Sequence, residues 1–195
     1  MVLKEDSVKK KNKSKAKGSA FERKVCKLLS LWVSDGIRDD LYWRSAMSGG
    51  RASVRFKKGG QKSTNQAGDL TAIDPLGKSL LDVFCIECKT YKSLHFKSLL
   101  FLKPKDQSFV SFWKQTTTTA HQHDRLPMLI AKQKSNVETL ICIDPKGLQQ
   151  LNSRNKGYFM SDYLYSDKLK MYIFILEDFV YMFDLRKPAI RKRLK

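Results

Sequence analysis

Leu80-Leu81-Asp82-Val83-Phe84-Cys85-Ile86-Glu87-Cys88-Lys89 is the stretch on which the fold turns. Its apolar run reads as a buried strand, yet it ends in a carboxylate and an ammonium. Strand side chains alternate, so Glu87 and Lys89 project to one side and Cys88 to the other. A charged pair closing a buried strand needs a cause, because burying charge without a partner is costly. Upstream, Gly68-Asp69 opens a second expected strand over residues 69–74. The two strands are joined by a turn around Asp74-Pro75-Leu76-Gly77, and a hairpin turning near Lys78 would set Asp69 opposite Glu87, facing the same way. Two carboxylates and one ammonium converging on a sheet edge can hold a divalent cation beside a phosphate and an attacking water.

Phosphodiester hydrolysis requires charge stabilisation on the phosphoryl oxygens and an in-line hydroxide, and one or two Mg²⁺ ions meet both needs. Mg²⁺ takes oxygen ligands and usually only one or two carboxylates. Asp69, Glu87 and the carbonyl of Cys88 suit that role, with Mn²⁺ as a substitute ion. Lys89 can contact the scissile phosphate and orient or help deprotonate the water. A salt-bridged pair on an exposed strand face is the plain alternative for Glu87 and Lys89. Glu22 has two readings as well. It completes a capping box with Ser19, or it points a third carboxylate at the metal.

The whole chain favours a polyanionic partner. Among its 195 residues, 38 Lys and Arg stand against 19 Asp and Glu, a formal charge of +19. Neutralising phosphates releases condensed counterions, so such an excess points to nucleic acid. With 42% hydrophobic residues the chain can build a core. It has no apolar run of membrane-spanning length and no secretory signal. Cys26, Cys85, Cys88 and Cys142 lie in apolar segments and read as reduced, buried thiols of a cytosolic protein. The expected compartment is the cytoplasm, the nucleus on a second reading of the basic arm, or a host cytoplasm if the gene is viral.

Outward from the two strands, residues 1–17 form a lysine-rich arm, expected to be disordered until it meets phosphates. Ser19 is expected to cap a helix that buries Phe21, Val25, Leu28, Leu29 and Trp32 and ends near Gly36. Residues 41–45 read as a short strand. A Gly-, Ser-, Arg- and Lys-rich loop follows, and Arg44, Arg51, Arg55, Lys57, Lys58 and Lys62 form its expected phosphate clamp. A helix is expected over residues 108–122, burying Phe109, Phe112 and Trp113. There Gln115 is an exposed polar residue or a contact to DNA. Strands are expected over residues 127–132, 139–143 and 171–185, and Asp144-Pro145-Lys146-Gly147 reads as a second turn. Cys85-x-x-Cys88 with His121-x-His123 suggests zinc, but an odd separation sends the two thiols to opposite strand faces.

Taken together, these pieces resemble the restriction-endonuclease-like PD-(D/E)XK superfamily, and within it the archaeal-type Holliday junction resolvases. The likeness covers residues 18–133. It rests on Lys17-Gly18-Ser19-Ala20-Phe21-Glu22-Arg23, Arg44-Ser45-Ala46, Gly68-Asp69-Leu70, Ile86-Glu87-Cys88-Lys89 and Phe112-Trp113-Lys114-Gln115, in that order. It implies an α/β fold with a central mixed sheet flanked by helices. It also implies Mg²⁺ dependence, and a homodimer that sets two active sites on a four-way DNA junction. By the same likeness Glu22, Asp69, Glu87 and Lys89 match metal-binding and catalytic positions, and Ser45 a serine of a mobile active-site loop. The expected organisation is a basic arm (1–17), a nuclease core (18–145) and a C-terminal extension with a strand-rich segment and basic tail (146–195). The rival readings are a repair, restriction or viral processing nuclease on the same fold, and a non-catalytic nucleic-acid-binding protein.

Overall fold

In the computed structural model, described for residues 2–45, 67–92, 108–134, 137–152 and 163–183 with side chains from residue 18 onward, five helices surround a mixed sheet. The elements run α1 (Val2–Val33), β1 (Tyr42–Arg44), β2 (Leu70–Ala72), α2 (Pro75–Leu81), β3 (Phe84–Tyr91), α3 (Ser108–Gln122), β4 (Leu126–Gln133) and β5 (Thr139–Ile143). They end with α4 (Pro145–Asn152), β6 (Leu164–Ser166), β7 (Met171–Ile175) and α5 (Leu176–Met182). The five-stranded sheet has the order β3-β4-β5-β7-β6, with β3 and β4 parallel and the other pairs antiparallel. A parallel pair needs a crossover, and α3 supplies it. β1 and β2 form a separate antiparallel ladder.

Alternation sorts the sheet into two faces. Phe84, Ile86 and Cys88 of β3 join Met128, Ile130, Ile141, Ile143 and Phe174 in one core, closed by Phe21, Val25, Leu29 and Trp32 of α1. On the opposite face Phe109 and Trp113 of α3 cover Leu129, Ala131, Cys142 and Ile173. β7 and α5, beyond residue 145, share the first core, and the Trp32 indole N–H donates to the Phe183 carbonyl at 2.8 Å. No helix among the described residues is long and apolar enough to cross a membrane.

Several local expectations are corrected. The hairpin between residues 69 and 90 is interrupted by a helix: Asp74 caps α2 by accepting from the Leu76 N–H at 2.9 Å, and Pro75 takes the first helical position. Asp144 likewise accepts from the Gly147 N–H at 2.7 Å, at the start of α4. Asp-Pro-x-Gly serves a turn or a helix start equally well, because a side-chain acceptor followed by fixed proline φ suits both. The expected strand over 171–185 stops at Ile175, where α5 begins with Glu177 and Asp178 in its first turn. Finally, α1 starts at Val2, so it runs through the arm expected to be disordered, and Ser19 lies inside the helix and not at its cap. Its C-terminus follows expectation: Gly36, at φ 78°, returns its N–H to the Leu31 carbonyl at 2.7 Å.

Candidate active site

The site is assembled where the β1–β2 ladder meets the edge of the large sheet, and Gly68 permits the junction. Gly68 sits at φ 84°, and a Cβ there would stand 2.4 Å from the Ile86 carbonyl oxygen. Only glycine allows the backbone to come so close. The next residue exploits the approach. Asp69 donates its N–H to the Ile86 carbonyl at 2.8 Å, and its carbonyl accepts from the Ser45 N–H at 2.8 Å. Its Oδ2 accepts from the Cys88 N–H at 2.8 Å. Asp69 therefore lies alongside Glu87, although a helix and not a hairpin connects their strands. A glycine at a strand mouth is the sequence signal for such an approach.

Asp69 and Glu87 are both 6% exposed. Lys89, on the same strand face as Glu87, donates Nζ to Glu87 Oε2 at 2.8 Å. Burial first, and then the Glu87 carboxylate, push Asp69 from the ordinary 3.8 up to about 7, against the pull of Lys89 and the Cys88 N–H. Burial works to lower Lys89, but the Glu87 and Asp69 carboxylates outweigh it and raise the ammonium above its usual value. Lys89 thus stays charged at neutral pH, and its single positive charge leaves the two acids underneutralised. The Cys88 N–H points at Asp69, and a strand residue projects its N–H and C=O from the same edge. The Cys88 carbonyl consequently faces this group.

Glu22 is engaged by Arg44. Its Oε2 accepts from Arg44 Nε at 2.7 Å, a partly buried ion pair between α1 and β1. Glu22 still adds to the field that raises Asp69, as the smallest of its contributors. Among the described residues no three His, Cys, Asp or Glu side chains converge into a ready metal cluster. Arg44, expected in a phosphate clamp, is held in that ion pair. Ser45 is buried beside Asp69, whereas Gln115 is exposed on α3. Arg51, Arg55, Lys57, Lys58 and Lys62 lie outside the described residues.

The cysteines form no site. All four are free and buried. Cys85 and Cys88 face opposite sides of β3, Cys85 packing against Ala67 and Ala120 and Cys88 joining the α1 core. His121, at the end of α3, is exposed. Burial, then Glu22, pushes the Cys26 thiol up to about 12; burial, then Glu87, does the same for Cys85. Cys88 and Cys142 are raised by burial as well.

No curated protein and no solved structure matches the chain. A family model described as "Phage putative PDDEXK endonuclease" matches residues 13–187, most of the chain and all of the elements that build this site. The match extends past residue 133, where the likeness read from the motifs stopped, and takes in β5, β7 and α5. With Asp69, Glu87 and Lys89 side by side at the sheet edge, the chain belongs to the phage PD-(D/E)XK endonuclease family, a family of nucleases.

Proposed function

We propose that the protein is a Mg²⁺-dependent DNA endonuclease that acts on branched DNA, four-way junctions foremost, as a homodimer. The observation that carries this reading is the buried Asp69–Glu87 pair with one ammonium for two carboxylates. Residual negative charge in a buried setting fits a hard divalent cation, which would let both acids ionise together. Asp69 and Glu87 would hold the ion, with the Cys88 carbonyl completing the protein's share. Glu22 would add a third carboxylate, its Oε2 already shared with Arg44. When bound, the ion supplies charge stabilisation and a more acidic water.

The remaining roles belong to the chain. The raised proton affinity of Lys89 suits it to donate to the scissile phosphate and to orient the water, and makes it a poor base at neutral pH. The Cys88 N–H fixes the Asp69 carboxylate through Oδ2. The excess of lysine and arginine favours salt-sensitive, largely sequence-independent affinity, so that selectivity would come from the shape and deformability of the DNA. A protein of this kind would work in the cytoplasm, of a host cell where the gene is viral.

Single-turnover cleavage of a four-way junction, a flap and a continuous duplex in Mg²⁺ tests the proposal. Wild type should cut the junction fastest, and Asp69→Asn and Lys89→Ala should cut none appreciably. Equal activity in all three proteins would refute the catalytic assignment. Uniform rates on all three DNAs would refute the junction preference and favour a general processing nuclease.

A further inference from the structure

Trp43 is 61% exposed, whereas Trp32 and Trp113 are buried at 6% and 3% with their indole N–H groups bonded to backbone carbonyls. Its position is what makes the exposure informative. Trp43 pairs with Thr71 and Arg44 with Leu70 across the β1–β2 ladder. Alternation puts Tyr42, Arg44 and Leu70 on the face that packs against α1, where Tyr42 and Leu70 join the core and Arg44 meets Glu22. Trp43 and Thr71 occupy the other face. Ile73, 59% exposed, continues that face in one direction. Two residues from Thr71 in the opposite direction stands Asp69, tied to β1 by the Ser45 N–H. Two strand residues span about 7 Å, a separation within the reach of a nucleotide next to the one whose phosphate the two acids would meet.

We infer that Trp43 is a stacking platform for an unpaired nucleobase beside the scissile phosphate, and that it gives the enzyme preference for DNA with unstacked bases over continuous duplex. The inference rests on the endonuclease reading for the place of the phosphate. An indole face stacks on any base without reading its edges, so it selects the state of the strand and not its sequence. A base within a duplex is already stacked on its neighbours and must be unstacked before it offers a face. A second copy of the chain could also cover Trp43 and Ile73. The base is the better occupant because the patch adjoins the carboxylate site, and because a formal charge of +19 attracts nucleic acid.

The test is equilibrium binding without divalent metal, in an Asp69→Asn background, to a duplex interrupted by a short single-stranded gap and to the same duplex sealed. Adding Trp43→Ala should weaken binding of the gapped DNA about tenfold, leave the sealed duplex within about twofold, and Trp43→Phe should retain most of the affinity. Equal losses on both DNAs, or no loss on either, would overturn the inference. So would a Trp43→Ala protein that sediments as a smaller species while binding gapped DNA normally, since a second copy would then be the occupant. Failure of the wild type to cleave any DNA in Mg²⁺ would count against the endonuclease reading and leave this binding comparison standing.

Discussion

Arg38 and Lys89 each act on two carboxylates, and the two groupings settle in opposite ways. Arg38 reaches Asp40 through Nε at 2.8 Å and Nη2 at 3.0 Å, and Asp74 through Nη1 at 2.6 Å. Both acids are held below the usual carboxylate range, Asp40 foremost by Arg38 and Asp74 by the Leu76 N–H and then Arg38. Among the described residues Lys89 bonds Glu87, and Asp69 is pushed up. A planar fork in contact with solvent satisfies two acids at once, while a point charge on a buried strand satisfies one. The first grouping is complete by itself. The second leaves two carboxylates with one ammonium, and that imbalance is what the proposed metal site rests on.

The sharpest way to break that contrast is kinetic. Asp69→Asn and Lys89→Ala should each slow Mg²⁺-supported cleavage by about 10²- to 10⁴-fold, while Arg38→Ala stays close to wild type. Comparable losses in single-turnover assays from both groupings would dissolve the distinction.

The next prediction concerns the approach that creates the buried group. Gly68→Ala places a Cβ against the Ile86 carbonyl at a positive φ, and should cost about 3 kcal/mol in urea unfolding. A loss below about 1 kcal/mol would mean that Asp69 can be held there without so close a contact.

Acid–base linkage then separates the groupings by sign. Asp69 binds more protons folded than unfolded between 3.8 and about 7, so its contribution makes stability fall as pH rises through that interval. Thermal unfolding without metal should show this slope in wild type and lose it in Asp69→Asn, and Mg²⁺ near pH 7 should stabilise wild type more than the variant. Asp40 and Asp74, held low, act in the opposite sense. Their stabilisation is present above the ordinary 3.8 and is lost as pH falls below it. The smallest effect belongs to Arg38→Ala, a modest drop in Tm that shrinks in high salt because the group is exposed.

Much of this arrangement was legible in the chain. The apolar run ending in Glu87 and Lys89 marks a buried strand with a charged end, and residues 108–122 and 139–143 fold as their periodicity indicates. The errors share a cause. Asp74-Pro75 and Asp144-Pro145 are capping sequences that also make turns, and what decides between them is the packing of Leu80, Leu81 and Leu151 into the core. That choice is tertiary and leaves no local mark. The ion pair of Glu22 with Arg44 was hidden for a similar reason: it joins residues 22 positions apart that meet only once β1 lies on α1. Asp69 was placed beside Glu87 by a hairpin that does not exist. The placement held because Gly68 brings the two backbones together by another route.

The four thiols have a practical consequence. Alkylating reagents consume the thiolate, and every native cysteine is buried and held protonated. A maleimide-linked dye or spin label will therefore attach almost only to a cysteine placed at an exposed position, such as Tyr181→Cys at a residue 83% exposed, with the wild-type background left untouched.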